Sequence, residues 1–129
     1  MKAGMEKTGR NLKATRLETW AMPGVPDVVL LDEFGNFHFV ELKATTGNAV
    51  NLLPHQVAWL TSYGNGSVWI LVKKHKTKNQ KEQLFLYRGA KAVDLKMKGL
   101  KVKPYYHATG TVDWQKVFAL ICPTTSYSQ

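Results

Sequence analysis

Asp27, Glu41 and Lys43 are the residues whose types and spacing could do chemistry. Val28 to Leu31 is an apolar run, Asp32-Glu33-Phe34-Gly35-Asn36 carries turn residues, and Phe37 to Lys43 reads as a second strand. Together they predict a tight β-hairpin. Counting back from the turn sets Asp27 opposite residue 41 or 42. Side chains alternate along a strand, so Glu41 and Lys43 share a face with Phe37 and Phe39. Two carboxylates and one ammonium would therefore converge at the open end of the hairpin. Carboxylate oxygens suit a hard divalent cation such as Mg²⁺, and the backbone carbonyl of Leu42 is a further oxygen ligand. A lysine beside them could orient or deprotonate a water, or stabilise developing negative charge. That combination is suited to phosphodiester hydrolysis.

A third carboxylate would improve such a site. Glu18 is the favoured candidate, on a strand expected over 14–21 that carries Arg16 and Trp20 on the same face. Glu6 is the weaker one, on a short helix expected over 5–13 that Gly9 weakens. The plainer alternatives are an Arg16–Glu18 surface pair and an exposed Glu41–Lys43 pair. Against the latter, Phe37 and Phe39 mark that strand face as core-facing, and a charged pair there needs a reason.

Other elements must position these groups. Met22-Pro23-Gly24-Val25-Pro26 is a rigid connection in which two prolines exclude helix. Ala44 to Asn51 has loop chemistry. A helix is predicted over Leu53–Tyr63, with Asn51 as cap, Pro54 in the first turn and Gly64 just past the end. Leu53, Val57 and Leu60 give it a buried stripe. Ser67–Val72 is apolar on both faces and reads as a central strand, and Gln83–Tyr87 as a further strand. Residues 90–110 resist reading. A helix is predicted over Thr111–Ile121, started by Thr111 or Asp113, and the tail 123–129 is expected to be loose. The fold class is α/β: a mixed β-sheet flanked by helices in one domain, its core about 14–88 and its C-terminal helix about 111–122.

The 129 residues carry 18 Lys and Arg against 9 Asp and Glu, a formal charge of +9 that favours a polyanion partner. Lys73, Lys74, Lys76, Lys78 and Lys81 form one basic block, expected to track a phosphate backbone. Lys91, Lys96, Lys98, Lys101 and Lys103 form a looser one. No apolar run is long enough to cross a bilayer, no secretion signal is seen, and the expected compartment is the cytoplasm. Cys122 is the one cysteine, which excludes an internal disulfide and a cysteine-based zinc site. It is expected to be buried. His38 points away from Glu41 and is expected to be structural, with His55 on the surface and Trp59 in the core. Tyr105, Tyr106 and His107 could stack on unpaired bases, although packing is the expected role.

Gly24-Val25-Pro26-Asp27, 13 intervening residues and then Glu41-Leu42-Lys43 resemble the PD-(D/E)XK nuclease superfamily. Arg16-Leu17-Glu18, Gly24-x-Pro26-Asp27, Glu41-x-Lys43 and Gln56 are similar to its small stand-alone VRR-Nuc type, found in phages and bacteria. The likeness spans roughly residues 14 to 75. It implies a restriction-endonuclease-like core and an Mg²⁺- or Mn²⁺-dependent DNA endonuclease. In that pattern Asp27, Glu41 and Lys43 carry the reaction, and Gln56 assists or contacts DNA. Stand-alone members resemble Holliday-junction resolvases, which implies a homodimer acting on branched DNA, in host cytoplasm if phage-encoded. The alternatives are a non-catalytic DNA-binding or accessory protein on the same fold, and a small restriction-type endonuclease. The resemblance departs at the N-terminus, where a longer helix with an acidic residue is usual.

Overall fold

The computed structural model describes residues 1–17 and 23–124. One six-stranded sheet runs in chain order: β1 (Lys13–Arg16), β2 (Val28–Leu31), β3 (Phe37–Thr45), β4 (Val68–Lys74), β5 (Gln83–Arg88) and β6 (Tyr106–Thr109). All neighbours are antiparallel except β3 and β4, which are parallel. A parallel pair needs a crossover, and α2 (Pro54–Ser62) supplies it. The fold is therefore α/β with a mixed sheet flanked by helices, as expected.

The predicted hairpin forms with Val28 opposite Val40 and Leu31 opposite Phe37, a register that continues to Asp27 opposite Glu41. Its turn is organised by Asp32, whose Oδ1 accepts the N–H groups of Phe34 and Asn36, each at 2.9 Å. Strand β4 has Val68 through Val72 buried in succession, which explains its unbroken apolar run.

Two apolar layers cover the sheet. On one face Leu30, Val40, Leu71 and Leu86 pack with Met5 of α1 (Lys2–Glu6) and with Val117, Phe118 and Ile121 of α4 (Trp114–Ile121). On the other, Ile70, Val72 and Tyr87 pack with Leu60 of α2 and Leu95 of α3 (Ala92–Lys98). Asp113 caps α4 by accepting the Lys116 N–H. Arg10 closes the other end of α4, donating to the carbonyls of Cys122 at 2.6 Å and Phe118 at 3.3 Å while pairing with Glu33. A cation over terminal carbonyls is favourable because those groups lack helical partners.

Several expectations need correction. The first helix ends at Glu6 rather than running over 5–13. Strand β1 has its last residue at Arg16 within the described part. Strand β3 runs on to Thr45, into the stretch read as loop. Helix α2 has Leu53, not Asn51, at its cap position. The unread segment 90–110 holds α3, flanked by single 3-10 turns at Gly89–Lys91 and Gly99–Lys101, and then β6. Its short elements and scattered lysines give no sustained period. Phe37 is exposed rather than core-facing, because the sheet has run out of covering helix at that end of β3.

Candidate active site

Glu41 lies in β3 beside Ile70 of β4, on the face covered by α2 and α3. It is 1 % exposed. A carboxylate so buried is costly unless partnered. Its Oε2 receives the Gln56 Nε2 at 3.2 Å and lies 3.4 Å from Lys43 Nζ. Its Oε1 is buried with no hydrogen-bond partner among the described residues.

The neighbours are fixed by the fold. Asp27 precedes β2 and sits across from Glu41. Its Oδ2 accepts the Leu42 backbone N–H at 3.0 Å, so β3 itself orients this carboxylate. The Leu17 N–H donates to the Asp27 carbonyl at 2.8 Å, which ties the same residue to the end of β1. Gly24 places this segment against α2. Its φ is +92°, and a side chain there would run into the His55 carbonyl. Pro54 starts α2, and Gln56 faces the strands from its first turn. The Gln56 Oε1 accepts from Lys43 Nζ at 2.9 Å and from the Leu53 N–H at 3.0 Å. One amide thus holds the lysine, the glutamate and the start of the helix in one arrangement.

Burial and the neighbouring Asp27 charge push the Glu41 carboxyl up to about 7, and Lys43 only partly offsets them. The arrangement resembles two carboxylates competing for one proton, in which one is driven toward its neutral form. A group half-ionised near neutral pH and carrying an unpartnered oxygen is a common mark of a functional site.

The hairpin geometry therefore brings Asp27, Glu41, Lys43 and Gln56 together. Glu18 lies outside the described residues. Glu6 is exposed on α1, which packs against the opposite face of the sheet, so it is not part of this group. Among the described residues no three His, Cys, Asp or Glu side chains are placed to share one ion.

The basic block leaves the sheet at the end toward which Lys43 lies, since Lys73 and Lys74 pair with Ala44 and Thr45. Lys74 shares the Glu41 face and donates to Asn48 Oδ1 at 3.0 Å. Lys73 points to the other face and pairs with Glu82 at 3.4 Å, so part of its charge is offset. Lys76, Lys78 and Lys81 are exposed.

His38 is buried and structural, as expected. Its Nε2 lies 2.8 Å from Asp32 Oδ2 and its Nδ1 2.5 Å from Ser67 Oγ, which also accepts from the Trp69 indole at 3.1 Å. The chain Asp32–His38–Ser67 fastens the hairpin turn to the start of β4. Cys122 is buried, and burial pushes its thiol up to about 12. His55 is exposed and Trp59 half-buried. Of the three residues expected to pack, Tyr106 joins the core, His107 stacks on Phe85, and Tyr105 packs edge-on against Trp69 while keeping much of its surface exposed. No helix among the described residues is long and apolar enough to cross a membrane. No protein-family model, curated protein or solved structure matches this chain.

Proposed function

We propose that the chain is a cation-dependent DNA endonuclease of PD-(D/E)XK type, acting on branched DNA as a homodimer. The observation that carries this reading is the nearly complete burial of Glu41 beside Asp27, Lys43 and Gln56, with one carboxylate oxygen left without a partner among the described residues. A structural ion pair would satisfy both oxygens, whereas a hard cation would be the missing partner here. The donor set fits Mg²⁺ or Mn²⁺. Asp27 and Glu41 would hold the ion, the Leu42 carbonyl is the proposed third oxygen, and Glu18 is the proposed further carboxylate. When bound, the ion supplies Lewis-acid relief of phosphoryl charge and a more acidic water.

The protein's own groups have separable roles. Lys43 Nζ is held by Gln56 Oε1 beside the carboxylates, where it orients the attacking water and neutralises charge on the phosphoryl oxygens. Gln56 is a positioning residue that sets the Lys43 and Glu41 rotamers. The lysines of the 73–81 block supply sequence-independent phosphate contacts on the sheet end next to Lys43. Cutting two strands calls for two such sites, which is the reason for a homodimer.

The test is cleavage of a four-way junction, a flap and a linear duplex, each with and without Mg²⁺. Cation-dependent cleavage of branched substrates, lost in Lys43→Ala and in Asp27→Asn, is expected. Cleavage that survives both substitutions would place the chemistry elsewhere. Tight binding with no cleavage of any substrate would leave a DNA-binding protein without nuclease activity. Sedimentation on DNA showing only a single copy would remove the dimer.

A further inference from the structure

At the other end of the sheet lies an open cleft of about 1040 Å³, bounded by the hairpin turn, the starts of β4 and β6 and the end of α4. Ligand pockets run roughly 300–1,000 Å³, so there is room for a sizeable group. Strand β3 carries Phe37 at this cleft and Lys43 six residues away, roughly 20 Å along a strand. The two regions are therefore separate.

The cleft rim concentrates exposed aromatic rings. Phe34 is 57 % exposed and Tyr105 55 %. Its floor is the buried Trp69, against which Tyr105 packs edge-on at 5.1 Å and over which the Arg88 guanidinium sits at 4.9 Å. Packing of this kind holds both rim groups in place before any ligand arrives. Arg88 has no carboxylate partner among the described residues, where every ion pair lies elsewhere. Among the described residues the one acid lining the cleft is Asp32, and both its oxygens are committed, to the turn amides and to His38. Asn65 adds an exposed amide able to meet a polar ring edge.

The geometry points to a site for an unpaired nucleotide of a DNA strand: its base stacks on Tyr105 and Phe34 at the rim, and Arg88 meets the adjacent phosphate. Flat aromatic platforms beside a cation recognise single strands because every base has a π-face, whereas paired bases are stacked inside a duplex. Among the described residues a peptide strand would find no uncommitted acid lining the cleft for its basic side chains, and the chain's charge of +9 favours a polyanion. The inference does not depend on cleavage. In a nuclease of branched DNA it would place an unpaired arm at one end of the sheet and the scissile strand at the other.

The test measures fluorescence anisotropy of labelled oligo-dT and of a hairpin duplex of equal charge, in EDTA so that cleavage plays no part. Oligo-dT is expected to bind several-fold more tightly than the duplex. Tyr105→Ala and Phe34→Ala, both at exposed positions, are expected to weaken oligo-dT binding by roughly fivefold to a hundredfold, the range for one lost stack, and duplex binding little. Photo-crosslinking of an iodouracil-containing strand is expected to label peptides carrying Phe34 or Tyr105. Unchanged oligo-dT affinity in both variants, equal affinity for duplex, or crosslinks confined to the 73–81 lysines would overturn the assignment. So would dTMP competing as effectively as the strand.

Discussion

The side-chain carbonyl of Gln56 lies 2.9 Å from Lys43 Nζ, while its amide nitrogen donates to Glu41 Oε2 at 3.2 Å. A helix residue therefore sets the geometry of two strand residues that the hairpin alone would leave free to rotate. Gln56→Ala is expected to lower single-turnover cleavage by roughly 10- to 100-fold, as loss of an orienting partner does. Lys43→Ala should cost more, because it removes the charge itself. Gln56→Ala cleaving at the normal rate would mean that the amide serves only the start of α2.

Glu41 gives a pH signature that needs no substrate. Its folded value of about 7 stands above the ordinary 4.5, raised first by burial and then by Asp27. A raised carboxyl favours the folded state while it is protonated, and that advantage fades as pH rises through the folded value. The shift corresponds to about 3 kcal/mol across the interval from 4.5 to 7. Glu41→Gln keeps the shape without the buried charge. It is expected to be more stable than the parent at pH 8 and similar at pH 5, and also to lose cleavage. Thermal unfolding at the two pH values checks this; a stability gap that is the same at both would show that Glu41 stays ionised throughout.

The hairpin was legible in the sequence because turn residues at 32–36 and alternation along 37–43 fix the register, and register decides that Asp27 faces Glu41. Helix α2 was legible from Pro54 and Gly64, and β4 from its run of buried side chains. The link from Gln56 to Lys43 was not, since a lone glutamine on a helix carries no periodic signal about which strand it will meet. Nor was the exposure of Phe37 and Tyr105: sequence marks both as apolar, but only the packing of the helices on each face decides where the cover stops. Segment 90–110 failed for a different reason. Its elements are seven residues or shorter and owe their form to tertiary packing.

Cation binding should appear as stabilisation. An ion that meets Asp27 and Glu41 in the folded chain alone raises the unfolding temperature, by about 2.7 kcal/mol of free energy at a hundredfold excess over Kd. Because the ion competes with a proton on Glu41, the rise should be larger at pH 8 than at pH 6. Asp27→Asn should abolish it. A Tm indifferent to Mg²⁺ and Mn²⁺ at pH 8 would remove the proposed ion from this pair of carboxylates.

Gly24 is where the path to Asp27 is most constrained. At φ +92° any side chain is strained, and here it would also meet the His55 carbonyl in the first turn of α2. Gly24→Ala is therefore expected to destabilise by about 1–3 kcal/mol. The segment must also move away from α2, which separates Asp27 from Gln56 and Lys43. Loss of cleavage at temperatures where the variant is still folded distinguishes that displacement from simple unfolding. Full activity with lowered Tm would show that the turn relaxes without moving Asp27.

Asp32 predicts the opposite pH dependence to Glu41. Burial alone would raise its carboxyl, but hydrogen bonds from His38 and from the Asn36 and Phe34 amides together hold it below the usual aspartate range. A depressed carboxylate stabilises above its unfolded value near 3.8 and loses that contribution as pH falls through the folded value. Asp32→Asn can still accept the turn amides, but it leaves the His38 Nε2 contact without a charged acceptor. The expected cost is about 1–3 kcal/mol at pH 7, shrinking toward pH 3. Since Glu41 disfavours high pH and Asp32 disfavours low pH, the cation-free protein should be most stable between about 4.5 and 6. Urea midpoints from about pH 3 to about pH 9, in EDTA, test both residues at once: a maximum at pH 8 or above would contradict the Glu41 assignment, and an acid limb unchanged by Asp32→Asn would contradict the other.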